Sequence, residues 1–424
     1  MKIGIVGGGP AGLYFALLMK NLSPAHEIKL LEQNPADATY GWGVVFSDRA
    51  VSFLEQIDRD SYLDIKSSLE SWNELVIVHK GQPVPIDGSV FSGISRIQLL
   101  RILQEHCRRR GIDLRFETRV TDMDVFADCD LIVGADGVNS FVRQKYSDFF
   151  QPSLDVRTNK YIWYGTRRVF DALSLFFRQN RDEMFVGHAY RYSPTMSTFI
   201  VECDAATWEK AGFASMSDAE SRAYCEKVFH NELGGHPLLS NKSMWIHFIV
   251  VRNRHWYHDN VVLIGDALRT VHFSIGSGTR TAFEDAIGLS AAFERHGEDV
   301  RAALQAFEKI RKPPADQLLR IAQKSLVWYE NVRSLMHLDP MAFAYAYMMR
   351  GGKVSPESLR ERAPKFFAAY EAYLACKKDQ LPIRRGISLR REPCAGANRV
   401  LGEKRALLRW RNLPSASAAK NNPK

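Results

Sequence analysis

The sequence predicts an α/β fold: a Rossmann-like dinucleotide-binding unit, discontinuous along the chain, with a sheet-rich insertion and C-terminal helices. Three observations predict it. The N-terminus reads strand, glycine turn, helix, strand. Two later apolar runs, CDLIVGADG and NVVLIGDA, each end in a turn built from Gly and Asp. Between those runs lies a long aromatic stretch with the alternation of β-strands.

In order, KIGIVGG is a short apolar strand, GGGPAG a turn, AGLYFALLMKNL a helix and EIKLLEQ a second strand. Gly7, Gly9 and Gly12 make G-x-G-x-x-G, with Pro10 and Ala11 inside it and Glu32 at the end of the second strand. Glycines there allow a tight turn and let backbone N–H groups approach a pyrophosphate at the positive end of a helix. A carboxylate about 20 residues on accepts ribose hydroxyls. The bland reading is a structural glycine turn, and the motif alone does not choose between FAD and NAD.

The segment ELVIVHKGQPVPIDGSV reads as a hairpin, SRIQLLRILQEHCRRR as an amphipathic helix and GIDLRFET as a strand. KYIWYGT, EMFVGHAYRY, TMSTFIVEC and MWIHFIVV read as strands of a second sheet. After Thr279 the chain turns helical, with a break expected near Pro313 and Pro314. These signals predict a nucleotide-binding unit from residues 1–73, 91–157 and 256–376, the last part carrying the C-terminal helices. Residues 74–90 and 158–255 are predicted to form a substrate-binding sheet unit, and 377–424 a basic, partly disordered tail.

Composition narrows the function. At 424 residues and 46 % hydrophobic content the chain can bury large cores. Of the net charge of +9, all resides after residue 380, where eleven Lys and Arg face only Glu392 and Glu403. The formally neutral remainder argues against a nucleic-acid partner. Apolar runs are short and interrupted, so no export signal or membrane span is expected. Cys107, Cys129, Cys203, Cys225, Cys376 and Cys394 contain no CxxC pair, which predicts reduced thiols in the cytoplasm and no metal site.

GGGPAG with Glu32, then GADGVNSFVR, then GDALRTVHFSIGSG, in that order, resemble the class A flavoprotein aromatic monooxygenases over about residues 1–375. GWGVVFSDR, YIWYGT, GHAYRY, TMSTFIVE, HFSIGSGT, FEDAI, WYENVRSLMHLDP and FAYAYMMR are similar to the salicyloyl-CoA 5-hydroxylases and to the monooxygenase half of anthraniloyl-CoA monooxygenases. The violacein-pathway hydroxylases, which take an indolic substrate, share GWGVV, KYIWYGT, MSTFIVEC and HFSIG.

The resemblance implies FAD as cofactor, NADH or NADPH as reductant, O2, and a small aromatic substrate, either a CoA thioester or an indolic compound, hydroxylated through a flavin C4a-hydroperoxide. It implies that Arg96 contacts the FAD phosphates, that Asp136, followed by Ser140 and Arg143, lies near the pyrophosphate, and that Asp266 in Gly265-Asp266 binds the ribityl chain. The Gly276 to Gly278 backbone would face the flavin ring, and His272 would be the catalytic residue that touches substrate or the oxygenated flavin. Against these stand plainer roles: a turn for Asp136, a helix cap for Asp266, a surface ion pair for Arg96 and a loop-shaping role for His272.

Trp42 would flank the flavin, and Trp163, Tyr164, His188 and Tyr190 either line the pocket or fill the core. Arg167, Arg168 and Arg191 are candidates for CoA phosphates. Two departures from the family pattern stand out: Arg269 replaces the usual His of Gly-Asp-Ala-Ala-His, and Arg280 replaces an Asn after the glycine pair. A flavin halogenase, a plain NAD dehydrogenase and a non-catalytic FAD-fold binding protein are the alternatives from other classes.

Overall fold

The computed structural model describes residues 1–47 and 53–380; the basic segment from residue 381 onward lies outside the described residues. Opening strand β1 (Lys2–Val6) leads through the glycine turn into α1 (Pro10–Leu22) and β2 (Glu27–Leu31). Then come β3 (Gly43–Ser47), β4 (Glu70–Trp72), β5 (Leu75–His79), β6 (Gln82–Ile86), β7 (Phe91–Ser95), α2 (Arg96–Arg109), β8 (Asp113–Arg115) and β9 (Leu131–Gly134). The middle of the chain forms β10 (Pro152–Thr166), β11 (Leu173–Asn180), β12 (Glu183–Ser193), β13 (Met196–Cys203), the helices α3 (Ala205–Ala211) and α4 (Asp218–Val228), β14 (Leu238–Leu239) and β15 (Ile246–Asn253). Two short strands, β16 (Tyr257–His258) and β17 (Val261–Leu263), precede α5 (Gly278–His296), α6 (Val300–Glu330), α7 (Pro340–Met349) and α8 (Pro364–Gln380).

Among the described residues three sheets form. The first runs β16-β17-β9-β1-β2-β8, parallel except for the β16–β17 pair. Its strands are apolar on both faces because helices cover both: Ile3, Ile5, Leu30, Leu131, Val133 and Val262 pack in one core with α1, α2, α5 and the N-terminal part of α6.

The second sheet runs β14-β10-β13-β12-β11-β5-β6, with β15 also pairing to β10. It is antiparallel apart from β5–β11, so alternate residues face opposite sides. One face buries Ile162, Tyr164, Phe176, Phe199 and Val201 with Phe213, Cys225 and Phe229 from the α3–α4 region. The other is shared. Leu175, Phe177 and Val186 pack on Tyr329 and α7, while Phe273, in the turn after β17, meets Tyr161 at a tilt and His188 edge-on. A small third sheet, β3-β7-β4, stands beside β12.

The expected break at Pro313 and Pro314 does not occur: α6 continues through both as one 31-residue helix. A proline inside a helix costs roughly 3 kcal/mol because it removes one N–H bond and crowds the preceding turn. Burial on both sides of the pair opposes that cost. Ala303, Leu304 and Phe307 are buried before it, and Ala315, Leu319, Ala322 and Leu326 after it. Residues 377–380, expected to begin the tail, instead finish α8.

Candidate active site

The glycine turn is built by close approach. A Cβ at Gly12 would lie 2.2 Å from the Gly7 carbonyl oxygen, and one at Gly7, whose φ is +108°, 2.4 Å from that of Ala135. No atom lies within 4 Å of a Cβ position at Gly9, so this turn is packed from behind and open in front. Gly9 caps α1 without a side-chain bond and Pro10 follows it, leaving the positive helix end facing the opening. Ala11 is buried against the other motif: its Cβ would meet one at Gly265 at 2.9 Å.

Glu32 reaches back to this turn. Its Oε2 accepts the Gly8 N–H at 2.7 Å, and its Oε1 accepts the backbone and side-chain N–H of Asn34 at 2.9 and 2.6 Å. A carboxylate offers about four acceptor positions, so one remains on Oε2.

Asp136 ends β9. Its Oδ2 accepts the Phe141 and Val142 N–H groups at 2.7 and 3.1 Å, the turn-holding role that was its plainer reading. Oδ1 is buried without a partner, and burial pushes the carboxyl upward. Arg143, 2 % exposed, spans from this turn to the third motif by donating to the Ala267 carbonyl at 2.9 Å.

Asp266 sits in the short turn Gly265–Ala267. Solvent reaches it, yet protein surrounds the carboxyl on nearly every side, and that burial raises it to about 6 against the opposing pull of Arg96 and Arg269. An accessible carboxyl so far inside the molecule marks a recess. Arg96, the first residue of α2, donates to Thr39 Oγ1 at 2.7 Å and lies near both Glu32 and Asp266. The first and third motifs therefore meet across one arginine.

Behind Asp266, residues the sequence reading had not assigned hold the turn. Asp285 in α5 is fully buried and accepts the Gly265 N–H at 3.1 Å, Arg269 Nη2 at 2.6 Å and Arg311 Nε at 3.2 Å. Glu284 takes the other end of Arg311, with Arg280 Nε at 2.8 Å. The two unexplained arginines thus belong to a buried ion network. Only the Arg280–Glu284 spacing of four residues on a helix signalled it in the sequence.

His272 is 5 % exposed. Burial pushes its imidazole down to about 4, so it is neutral at physiological pH. Nδ1 contacts Ser274 Oγ at 2.8 Å, Ser274 contacts Ser325 at 2.9 Å, and Arg350 donates to Ser325 Oγ and to the Ser274 carbonyl at 2.9 and 3.0 Å. Gly276 turns the chain with φ +58°, and Gly278 opens the 19-residue α5.

Facing this loop is the second sheet. The Phe273 ring centroid lies 4.7 Å from that of Tyr161, tilted, and 5.4 Å from that of His188, edge-on. Trp42 packs on Gly165 and Trp163 on Gly41, each so close that a Cβ would approach to 2.5 and 2.6 Å. Tyr164 points to the far side and bonds Ser221 at 3.1 Å, while Tyr190 donates to the Gly43 carbonyl at 2.8 Å. Arg191 is engaged by Ser71, Glu70 and Asp171, whereas Arg167 and Arg168 are exposed. Among the described residues no cluster of three His, Cys, Asp or Glu is placed to hold a metal, and no helix is long and apolar enough to cross a membrane.

Comparison with known proteins agrees with this architecture. The chain is 36 % identical to a salicyloyl-CoA 5-hydroxylase of Streptomyces sp over 82 % of its length and 70 % of the relative's. It is 38 % identical to protodeoxyviolaceinate monooxygenase of Chromobacterium violaceum over 84 % of its length and 96 % of the relative's. A variant of 2-methyl-3-hydroxypyridine-5-carboxylic acid oxygenase shares the fold at 17 % identity, with a TM-score of 0.63 over 85 % of this chain and 96 % of that one. The model of the FAD binding domain family matches residues 1–322, and the chain belongs to that family.

Proposed function

We propose that this protein, an FAD-dependent aromatic hydroxylase, acts on an aryl-CoA thioester of the salicyloyl-CoA or anthraniloyl-CoA type, with NADH or NADPH as reductant and O2 as co-substrate. The recess in which Glu32, Arg96 and Asp266 converge beside the open face of the glycine turn carries the flavin part of the reading, and the likeness to a salicyloyl-CoA 5-hydroxylase supports the thioester part. FAD fits this set. The Gly9–Ala11 helix end suits the pyrophosphate, the remaining Oε2 position of Glu32 a ribose hydroxyl, Arg96 a phosphate, and the accessible Asp266 the ribityl hydroxyls. Asp136, through its unpartnered Oδ1, and the backbone of Gly265, Gly276 and Gly278 complete the proposed cofactor contacts.

FAD held by these residues would supply the acceptor for a hydride from the nicotinamide nucleotide and the means of transferring one oxygen atom of O2 to the ring. The chain's own residues orient the ring and keep water out. Tyr161, Trp163, Phe273 and, from β15, Phe248, whose ring lies 4.7 Å from that of His272, supply flat apolar surfaces. His272, held through Nδ1 by Ser274, accepts or donates one hydrogen bond at Nε2 as a neutral base or donor. The N-terminus of α5 presents positive potential to developing negative charge.

The second sheet, which runs over residues 75–86 and 152–253 against the expected 74–90 and 158–255, is the substrate-binding unit of this reading. A cytoplasmic location belongs to it, supported by the free thiols of Cys107, Cys129, Cys203, Cys225 and Cys376. The relative from Chromobacterium violaceum favours a second reading, an indolic substrate without CoA. Product mass spectrometry with salicyloyl-CoA, anthraniloyl-CoA, their free acids and indolic acids separates the two. Oxygen gained only by indolic acids removes the thioester assignment, and a His272→Ala variant with the wild-type rate removes the histidine.

A further inference from the structure

We propose that Glu202 and His188 form the proton acceptor of the hydroxylation, a buried pair set on the second sheet beneath the His272–Phe273 turn. The inference rests on the hydroxylase reading and adds to it a second proton-accepting group, distinct from His272.

The pair is assembled by strand register. Glu202 on β13 lies opposite Tyr161 of β10 and Val186 of β12, and His188 lies opposite Ile200, so Glu202 and His188 share the face turned toward Phe273. His188 Nε2 and Glu202 Oε2 are 3.2 Å apart, and Asn159 Nδ2 donates to Oε1 at 2.8 Å. Glu202 is 2 % exposed and His188 5 %. A carboxylate sealed this deeply costs several kcal/mol unless partners compensate it, and apolar packing would serve stability equally well.

Each neighbouring element presents a defined set of groups. Tyr161 comes from β10, Cys203 from β13 itself and His272 from the loop. Tyr329 and Glu330 come from α6, and Arg350 follows α7. Burial drives the Glu202 carboxyl upward, but the hydrogen bonds from His188 and Asn159 oppose it, and the group lies below the usual carboxylate range. With Nε2 committed to Glu202, Nδ1 is the position on His188 that takes a proton.

The ring's electron pair forms the new C–O bond while the O–O bond of the oxygen donor breaks. The activating hydroxyl or amino group on the ring loses its proton to His188, and the imidazolium remains paired with Glu202. The ring C–H proton, whose loss restores aromaticity, passes to the oxygen atom left on the donor, and the proton on His188 returns to the substituent; that second oxygen atom leaves as water with one further proton from the donor, the two electrons that reduced it having come from NAD(P)H.

The test uses the FAD-loaded enzyme with Glu202→Gln, His188→Gln and His272→Ala, comparing kcat against pH, the rate of flavin reduction and product mass. In both pair variants kcat falls by about 10²-fold or more, the acidic limb of its pH profile disappears, and flavin reduction is unchanged. His272→Ala keeps the limb. Wild-type kcat with the limb intact in either pair variant overturns the proposal; if Glu202→Gln does not fold, His188→Gln alone decides. A wild-type enzyme that adds oxygen to no aromatic compound overturns the hydroxylase reading instead.

Discussion

Asp266 and Glu202 are both carboxyl groups deep inside the molecule, yet they ionise in opposite directions. Asp266 is open to solvent and surrounded by protein, with Arg96 and Arg269 too weak to offset burial, and it rises to about 6. Glu202 is sealed, bonded on both oxygens, and held below its ordinary range. The difference separates two designs. A carboxyl left accessible and under-partnered is set up for a ligand, whereas one satisfied internally stores a charge for use at fixed pH.

The sharpest way to break the contrast is to remove the support behind Asp266. Asp285→Ala strands two arginines and frees the Gly265 N–H. It is expected to cost about 3–5 kcal/mol in urea unfolding and to abolish FAD retention. Next comes Gly12→Ala, whose Cβ meets the Gly7 carbonyl oxygen. A loss of about 3 kcal/mol is expected, with weaker FAD binding, read by denaturation and flavin absorbance.

Asp266→Asn tests the accessible carboxyl itself. FAD binding should weaken by about 2 kcal/mol in a fluorescence titration, the range for a hydrogen bond to a charged group. The pH dependence sharpens it. Because the folded value lies above the ordinary 3.8, Asp266 contributes stability to the FAD-free protein at acid pH that is lost as pH rises from 3.8 through about 6. The Asn variant should lack that loss.

His272 carries the opposite sign and the smallest effect. Its folded value, about 4, lies below 6.5, so its contribution is present above 6.5 and lost as pH falls toward 4. His272→Phe should be less acid-sensitive by about 1–2 kcal/mol near pH 5 in thermal unfolding.

What the sequence made legible was local. Gly12 answers to the Gly7 carbonyl five residues away and Glu32 to the length of one βαβ unit, so spacing alone exposed the glycine motif with its acidic partner, whereas Gly276 came from the family resemblance. Asp285 was hidden because its partners Gly265, Arg269 and Arg311 lie 16 to 26 residues away on three elements. Glu202 was hidden because strand register, not periodicity, brings it to His188 across 14 residues. The unbroken α6 was missed because burial on both sides outweighs a local penalty. Asp136 showed its motif but not its use, since the same carboxylate oxygen serves the turn at Phe141.

The most direct measurement follows dioxygen into product. Purified, FAD-loaded protein is given a reduced nicotinamide nucleotide, isotopically heavy O2 and salicyloyl-CoA, anthraniloyl-CoA or an indolic acid, and the products are weighed. The account predicts one heavy oxygen atom in the aromatic ring of one substrate, with nucleotide oxidation stimulated by that substrate. Nucleotide oxidation with no labelled product from any of them, or a protein that binds no flavin, would contradict it.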